Sequence, residues 1–121
     1  MLSLPPAVRI WLCTQATDLR KSFDGLAAVV RDGLGHDPLS GHVFAFRNKS
    51  GDRVKLLVWD EDGFLIWYKR LEAGVFRFPA ADVNHASVVV RASDLRLLLD
   101  GVDPASVRRS KRYRRSPARS A

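Results

Sequence analysis

After a double proline the chain begins to alternate. Over residues 7–13, Val8, Ile10 and Leu12 fall on one side of an extended backbone and Arg9 and Trp11 on the other, which predicts a strand. From Thr17 or Asp18, either of which can serve as an N-cap, the period changes. Leu19, Phe23, Leu26, Ala27, Val30 and Leu34 recur at helical spacing, with Arg20, Lys21, Asp24, Arg31 and Asp32 largely opposite. A helix to about Leu34 is predicted, with Phe23 and Leu26 anchoring it in the core. Gly25 costs that helix up to ~1 kcal/mol relative to alanine, so close packing is expected there. Gly33, Gly35 and Pro38 stop it.

Three strand signals follow in series: residues 42–47, 53–59 and 64–72, the last two separated by Asp60-Glu61-Asp62-Gly63. Asp-Gly between two β-rich runs predicts a hairpin. A two-residue and a four-residue loop give the same facing, because the registers differ by two. One face then carries Val54, Leu56, Val58, Leu65, Trp67 and Leu71. The other carries Arg53, Lys55, Leu57, Trp59, Phe64, Ile66, Tyr68 and Arg70. Residues 75–79 predict a further short strand, 85–91 a last one, and Ser93 caps a short helix to about Leu99 with Gly101 at its C-cap. The expected fold is α+β: a mostly antiparallel, twisted sheet of about five to six strands, one long early helix and one short late helix.

Charge divides the chain. The net charge is +7, and residues 103–121 supply +6 of it through Arg108, Arg109, Lys111, Arg112, Arg114, Arg115 and Arg119 against Asp103. Residues 1–102 read as one compact domain, and 103–121 as an arm too polar to offset an ordering cost of ~1–2 kcal/mol per residue, hence disordered when free. Such an arm either keeps a protein soluble or grips phosphates without reading sequence. Apolar residues make up 46% of the chain, yet no run approaches the ~18–20 a membrane span needs. No secretory leader is visible, and Cys13 is the single cysteine, so a cytoplasmic protein without membrane association is expected.

Catalytic motifs are missing. The Asp60–Asp62 turn could attract a hard cation, but lacks the spacing of a calcium loop and reads more simply as a solvated hairpin tip. His36, His42 and His85 have no metal-ligand spacing, and Cys13 reads as a buried thiol. Neither a catalytic residue nor a cofactor is expected. The sheet face that interleaves Trp59 and Tyr68 with Arg53, Lys55 and Arg70 suits single-strand binding by stacking and cation contact. Apolar Leu57, Phe64 and Ile66 on the same face favour instead aromatics buried under a helix with cations at the rim, and a third reading is a protein-binding patch anchored by Trp59 and Tyr68.

Several ordered motifs carry a resemblance. Thr17-Asp18-Leu19-Arg20-Lys21-Ser22-Phe23-Asp24-Gly25-Leu26, Gly41-His42-Val43-Phe44-Ala45-Phe46-Arg47, Lys55-Leu56-Leu57-Val58-Trp59-Asp60, Lys69-Arg70-Leu71-Glu72 and Phe76-Arg77-Phe78-Pro79 resemble the small TnpB-type accessory proteins of the insertion sequence 66 family of bacterial transposons. The resemblance spans about residues 7–102. That family is distinct from the much larger RNA-guided nuclease of similar name. The resemblance implies a role in transposition beside a transposase, which carries the acidic catalytic triad, and a second small accessory protein, and it supplies no catalytic residues.

Arg20 and Lys21 would sit in the first helical turn, where a cation opposes the macrodipole by ~0.3–1 kcal/mol. They invite a phosphate or an acidic partner, unless Asp24 pairs with Arg20. The leading expectation is a non-enzymatic accessory factor that binds the transposase, the second accessory protein or transposon DNA. Its phosphate contacts would come from the arm and from Arg20, Lys21, Arg53, Lys55 and Arg70. The alternatives are a protein-only assembly adaptor with a solubilising arm, or a metal-dependent nuclease built on the Asp60–Asp62 turn.

Overall fold

Among the described residues, five strands form one sheet, and helices cover both of its faces. A computed structural model of the chain describes residues 7–101. The strands are β1 (Ile10–Cys13), β2 (Val43–Arg47), β3 (Arg53–Asp60), β4 (Gly63–Arg70) and β5 (Ser87–Val90). Helix α1 spans Phe23–Ala28 and widens into a π turn over Val29–Gly33, and α2 spans Ala92–Leu99. The strand order is β4-β3-β2-β1-β5.

The sheet is mixed, a correction to the expected architecture. β1 runs parallel to β2, pairing Ile10 with Val43, while β1–β5, β2–β3 and β3–β4 are antiparallel. A parallel neighbour needs a long crossover, and residues 14–42, with α1 among them, provide it.

The predicted facing of the hairpin holds. Lys55 lies opposite Tyr68, Leu57 opposite Ile66 and Trp59 opposite Phe64. Asp60 pairs with Gly63, so the loop is the two-residue form. The left-handed conformation falls on Glu61 (φ 55°), not on the glycine, and the Asp62 N–H donates to the Asp60 carbonyl.

Two cores flank the sheet. On one face, Ile10, Leu12, Val43, Ala45, Val54 and Leu56 pack with Leu95, Leu98 and Leu99 of α2 and with Phe76. On the other, Phe44, Phe46 and Leu57 pack with Leu19, Leu26, Ala27 and Val30. Covered on both sides, β2 buries four consecutive residues, Val43–Phe46. Each fully buried large apolar side chain contributes about 1.5–3 kcal/mol.

Helix α1 is shorter than expected and begins later. The Asp18 carboxylate accepts the Arg20 backbone N–H at 3.0 Å, and the Lys21 N–H donates to the Asp18 carbonyl. That local turn competes with helix. The helix therefore starts at Phe23, with Ser22 in the cap position and no side-chain cap. Phe23 is 45% exposed and does not anchor the core. Gly25 has the packing reason its cost demanded, since a Cβ there would lie 3.0 Å from Lys21 Cβ.

The strand expected at 75–79 does not form. Gly74 turns the chain (φ 82°), the Phe76 N–H makes one bond to the Gly51 carbonyl, and Phe76 and Phe78 cover the α2-side core. The alternation reflects packing without a ladder. The arm, 103–121, lies outside the described residues.

Candidate nucleic-acid interface

Three separate segments meet beside the start of β3. The first is the chain after β1. The Thr14 hydroxyl donates to the His85 carbonyl at 2.7 Å, and the Arg47 guanidinium donates to the Thr14 carbonyl at 3.1 Å. The Thr17 N–H donates to the Arg47 carbonyl at 2.8 Å. These bonds hold the Asp18–Lys21 turn against the sheet. The second segment is the turn between β2 and β3, where the Asn48 amide donates to Asp52 at 2.7 Å and its carbonyl oxygen accepts the Arg53 N–H at 3.0 Å. Gly51 closes that turn at φ 80°. The third is the β3–β4 pair.

Asp18, Leu19, Arg20, Asn48, Arg53, Lys55 and Tyr68 line one open concavity of about 560 Å³. Tyr68 joins two of its cations. The Tyr68 hydroxyl accepts from the Arg53 guanidinium at 2.9 Å, and the Lys55 ammonium lies 4.8 Å from its ring centroid. Half of the residue remains exposed, at 48%. The Lys55 ammonium also donates to the Lys21 carbonyl at 2.9 Å. The bond to Tyr68 raises the Arg53 pKa further above its ordinary value.

Arg20 pairs with Asp18 at 2.8 Å, not with Asp24. Its side chain is 91% exposed even so, which leaves guanidinium surface open. The Arg20 guanidinium is the main reason the Asp18 carboxyl is lowered to about 2. Since α1 begins at Phe23, neither Arg20 nor Lys21 sits in its first turn.

The predicted residues are thus partly gathered. Arg20, Arg53, Lys55 and Tyr68 come together. Lys21 lends the site its carbonyl, while its side chain borders a neighbouring apolar hollow with Cys13 and Val29. Arg70 lies directly across from Arg53 but is bridged to Glu72 at 2.9 Å. Trp59 stands apart, edge-on to Phe64 at 5.1 Å and four residues along β3 from Lys55, or roughly 13 Å.

Arg108, Arg109, Lys111, Arg112, Arg114, Arg115 and Arg119 lie outside the described residues. Gly101, the last described residue, is placed by its neighbours. A Cβ on Gly101 would sit 3.9 Å from Leu71, the residue after β4, and the Lys69 ammonium donates to the Leu99 carbonyl at 2.8 Å. Gly101 therefore lies at the end of the sheet that carries the Arg53–Arg70 pair, on the α2 side.

Sequence reasoning missed Asn48 and Arg47, which position the site's two loops. The Asn-x-Ser-Gly-Asp turn was the available signal for Asn48. Other candidates have structural occupations. His36 stacks on Trp11 at 4.2 Å, the His42 Nδ1 accepts the Arg9 N–H, and His85 bonds Asp82. Cys13 is buried. Asp60, Glu61 and Asp62 form the exposed hairpin tip. Among the described residues no three His, Cys, Asp or Glu side chains gather in a way that could hold a metal ion, and no helix is long and apolar enough to cross a membrane.

Residues 8–109 match the family described as IS66 Orf2 like protein. Two relatives come from Sinorhizobium fredii (strain NBRC 101917 / NGR234). One, the uncharacterized protein y4hO, is 36% identical over 103 residues, which cover 85% of this chain and 88% of the relative. The other, the uncharacterized protein y4jC, is 35% identical over 109 residues, covering 90% and 92%. No solved structure matches the chain.

Proposed function

The chain belongs to the IS66 Orf2-like family, and from that membership we propose that it is a non-catalytic accessory factor of DNA transposition that works by binding nucleic acid. Membership supports the association with transposition. The observation that carries the binding is the convergence of Arg20, Arg53, Lys55 and Tyr68, from segments far apart in sequence, on one open concavity. Arg20 and Arg53 present guanidinium surface to phosphate. Lys55, only 8% exposed, acts as a positioning residue that fixes the Tyr68 ring and the Asp18–Lys21 turn. The arm beyond Gly101 adds phosphate contacts that carry no sequence information.

Fluorescence anisotropy of a labelled transposon-end duplex, and of a scrambled duplex, tests this across a salt series. The full chain is expected to bind both, with affinity falling steeply as salt rises. An Arg20→Gln, Arg53→Gln double variant should reduce the log–log salt slope by about 2 if both residues meet phosphates. Binding to neither duplex, with co-purification of the transposase from nuclease-treated lysate, would instead establish a protein-only assembly adaptor.

A further inference from the structure

We propose that the Tyr68 concavity takes single-stranded nucleic acid, one unpaired base stacking on the Tyr68 ring while Arg20 and Arg53 hold the flanking phosphates. The inference rests on the nucleic-acid reading above and narrows it to a substrate class.

The ring is the first reason. Tyr68 is 48% exposed, although it stands on a sheet face where its neighbours Leu57 and Ile66 pack into the core. Its hydroxyl is engaged by Arg53 and one side of its ring carries the Lys55 ammonium, so its orientation is set before any ligand arrives. What it still offers is an apolar, π-bearing surface. A duplex keeps its bases stacked inside and meets a protein through phosphates and groove edges, so it gains little from such a ring. An unpaired base gains a stacking partner whatever its identity.

The charge pattern is the second. The concavity is not a uniform cationic trough, because the Asp18 carboxylate lines it and remains ionised through its bond with Arg20. A carboxylate facing the dense phosphate array of a duplex is costly, and the lower charge density of a single strand tolerates it better. The third reason is size. At about 560 Å³ the concavity falls within the range of sites that take nucleotide-sized ligands.

The test compares an oligothymidylate of about 20 nucleotides, the oligouridylate of the same length and a duplex of the same length. Each is titrated with the full chain and with its Tyr68→Ala and Tyr68→Phe variants at about 0.2 M salt, where purely phosphate-driven binding is weakened. The expected result is a preference for the single strands. Tyr68→Ala should weaken binding to them roughly tenfold or more and weaken duplex binding much less, with Tyr68→Phe staying close to the parent. The two oligomers separate DNA from RNA as the source of the strand. Folding of each variant is checked by its thermal transition, and Tyr68→Phe keeps the comparison decisive should the alanine variant unfold, because a hydrogen-bonding role for the hydroxyl would make it as weak as a deletion. Duplex binding without single-strand preference overturns this inference and leaves the broader reading standing. Binding to none of the three overturns both.

Discussion

The Lys55 ammonium donates to the carbonyl oxygen of Lys21 at 2.9 Å, fastening a sheet strand to the loop that precedes α1. A lysine that is 8% exposed needs such a partner, because an unpaired buried charge is costly. The same ammonium holds the Tyr68 ring, so one side chain stabilises the fold and shapes the concavity.

Lys55→Met keeps the aliphatic stem and removes the donor. Hydrogen bonds to charged groups contribute about 1.5–3 kcal/mol, so a destabilisation of about that size is expected in urea denaturation. Nucleic-acid affinity should fall as well, since the Asp18–Lys21 turn and the Tyr68 ring lose their common anchor.

Glu61 occupies the left-handed region at φ 55°, where a non-glycine residue is disfavoured by about 1–2 kcal/mol. Part of that is returned by the greater freedom of glycine in the unfolded chain. Glu61→Gly should stabilise the protein by about 0.5–1 kcal/mol, read as a raised urea midpoint with unchanged slope.

Leu98 is 2% exposed between α2 and the sheet, whereas Val83 is 95% exposed. Leu98→Ala should destabilise by about 2–5 kcal/mol, a large share of the ~5–15 kcal/mol of a typical domain. Val83→Ala should stay within about 0.5 kcal/mol of the parent. Thermal unfolding of the two variants checks the contrast.

Asp18 provides a pH signature. Its carboxyl is lowered from 3.8 to about 2, first by the Arg20 side chain and then by the Arg20 backbone N–H. A depressed carboxyl stabilises the fold above its unfolded pKa, and that contribution disappears as pH falls through the window from about 4 to about 2. Carboxyl NMR titration should place Asp18 near the low end. In Arg20→Ala the midpoint should move back towards the ordinary value without reaching it, because the backbone donor remains.

Replacing Arg108, Arg109, Lys111, Arg112, Arg114, Arg115 and Arg119 by glutamine in the full-length chain tests the arm. For every phosphate that the arm ceases to neutralise, the log–log salt slope on duplex DNA should fall by about 0.9. Discrimination between end and scrambled sequences should be unaffected. An unchanged slope would reduce the arm to a solubility device.

Which features were legible in the sequence follows from the range of the interactions involved. The β3–β4 facing was readable because Val54 to Val58 and their partners alternate with period two across a short turn. The start of α1 was not, because the helical spacing of Leu19 and Phe23 continues through a segment that the Asp18 carboxylate folds into a turn. The π turn at Val29–Gly33 lies outside any 3.6-residue pattern. The parallel neighbour of β1 is a choice between distant strands, and alternation within Ile10–Cys13 names no partner. The site shows the same division. Arg20, Arg53, Lys55 and Tyr68 could be nominated singly, by type and face, but only the crossover after β1 brings Arg20 to the other three. Trp59 shares their face and fails on distance along the strand.

β1 occupies an inner place in the sheet, with β2 on one side and β5 on the other. During synthesis β1 emerges long before its second neighbour, since Ser87–Val90 leaves the ribosome after the other four described strands. Until then Ile10 and Leu12 have an open backbone edge, and no α2 covers them. A message cut short before that point would therefore yield a chain with four of its strands and an adhesive rim, a substrate for proteases and aggregation. The sheet can close only once Ser87–Val90 has been made.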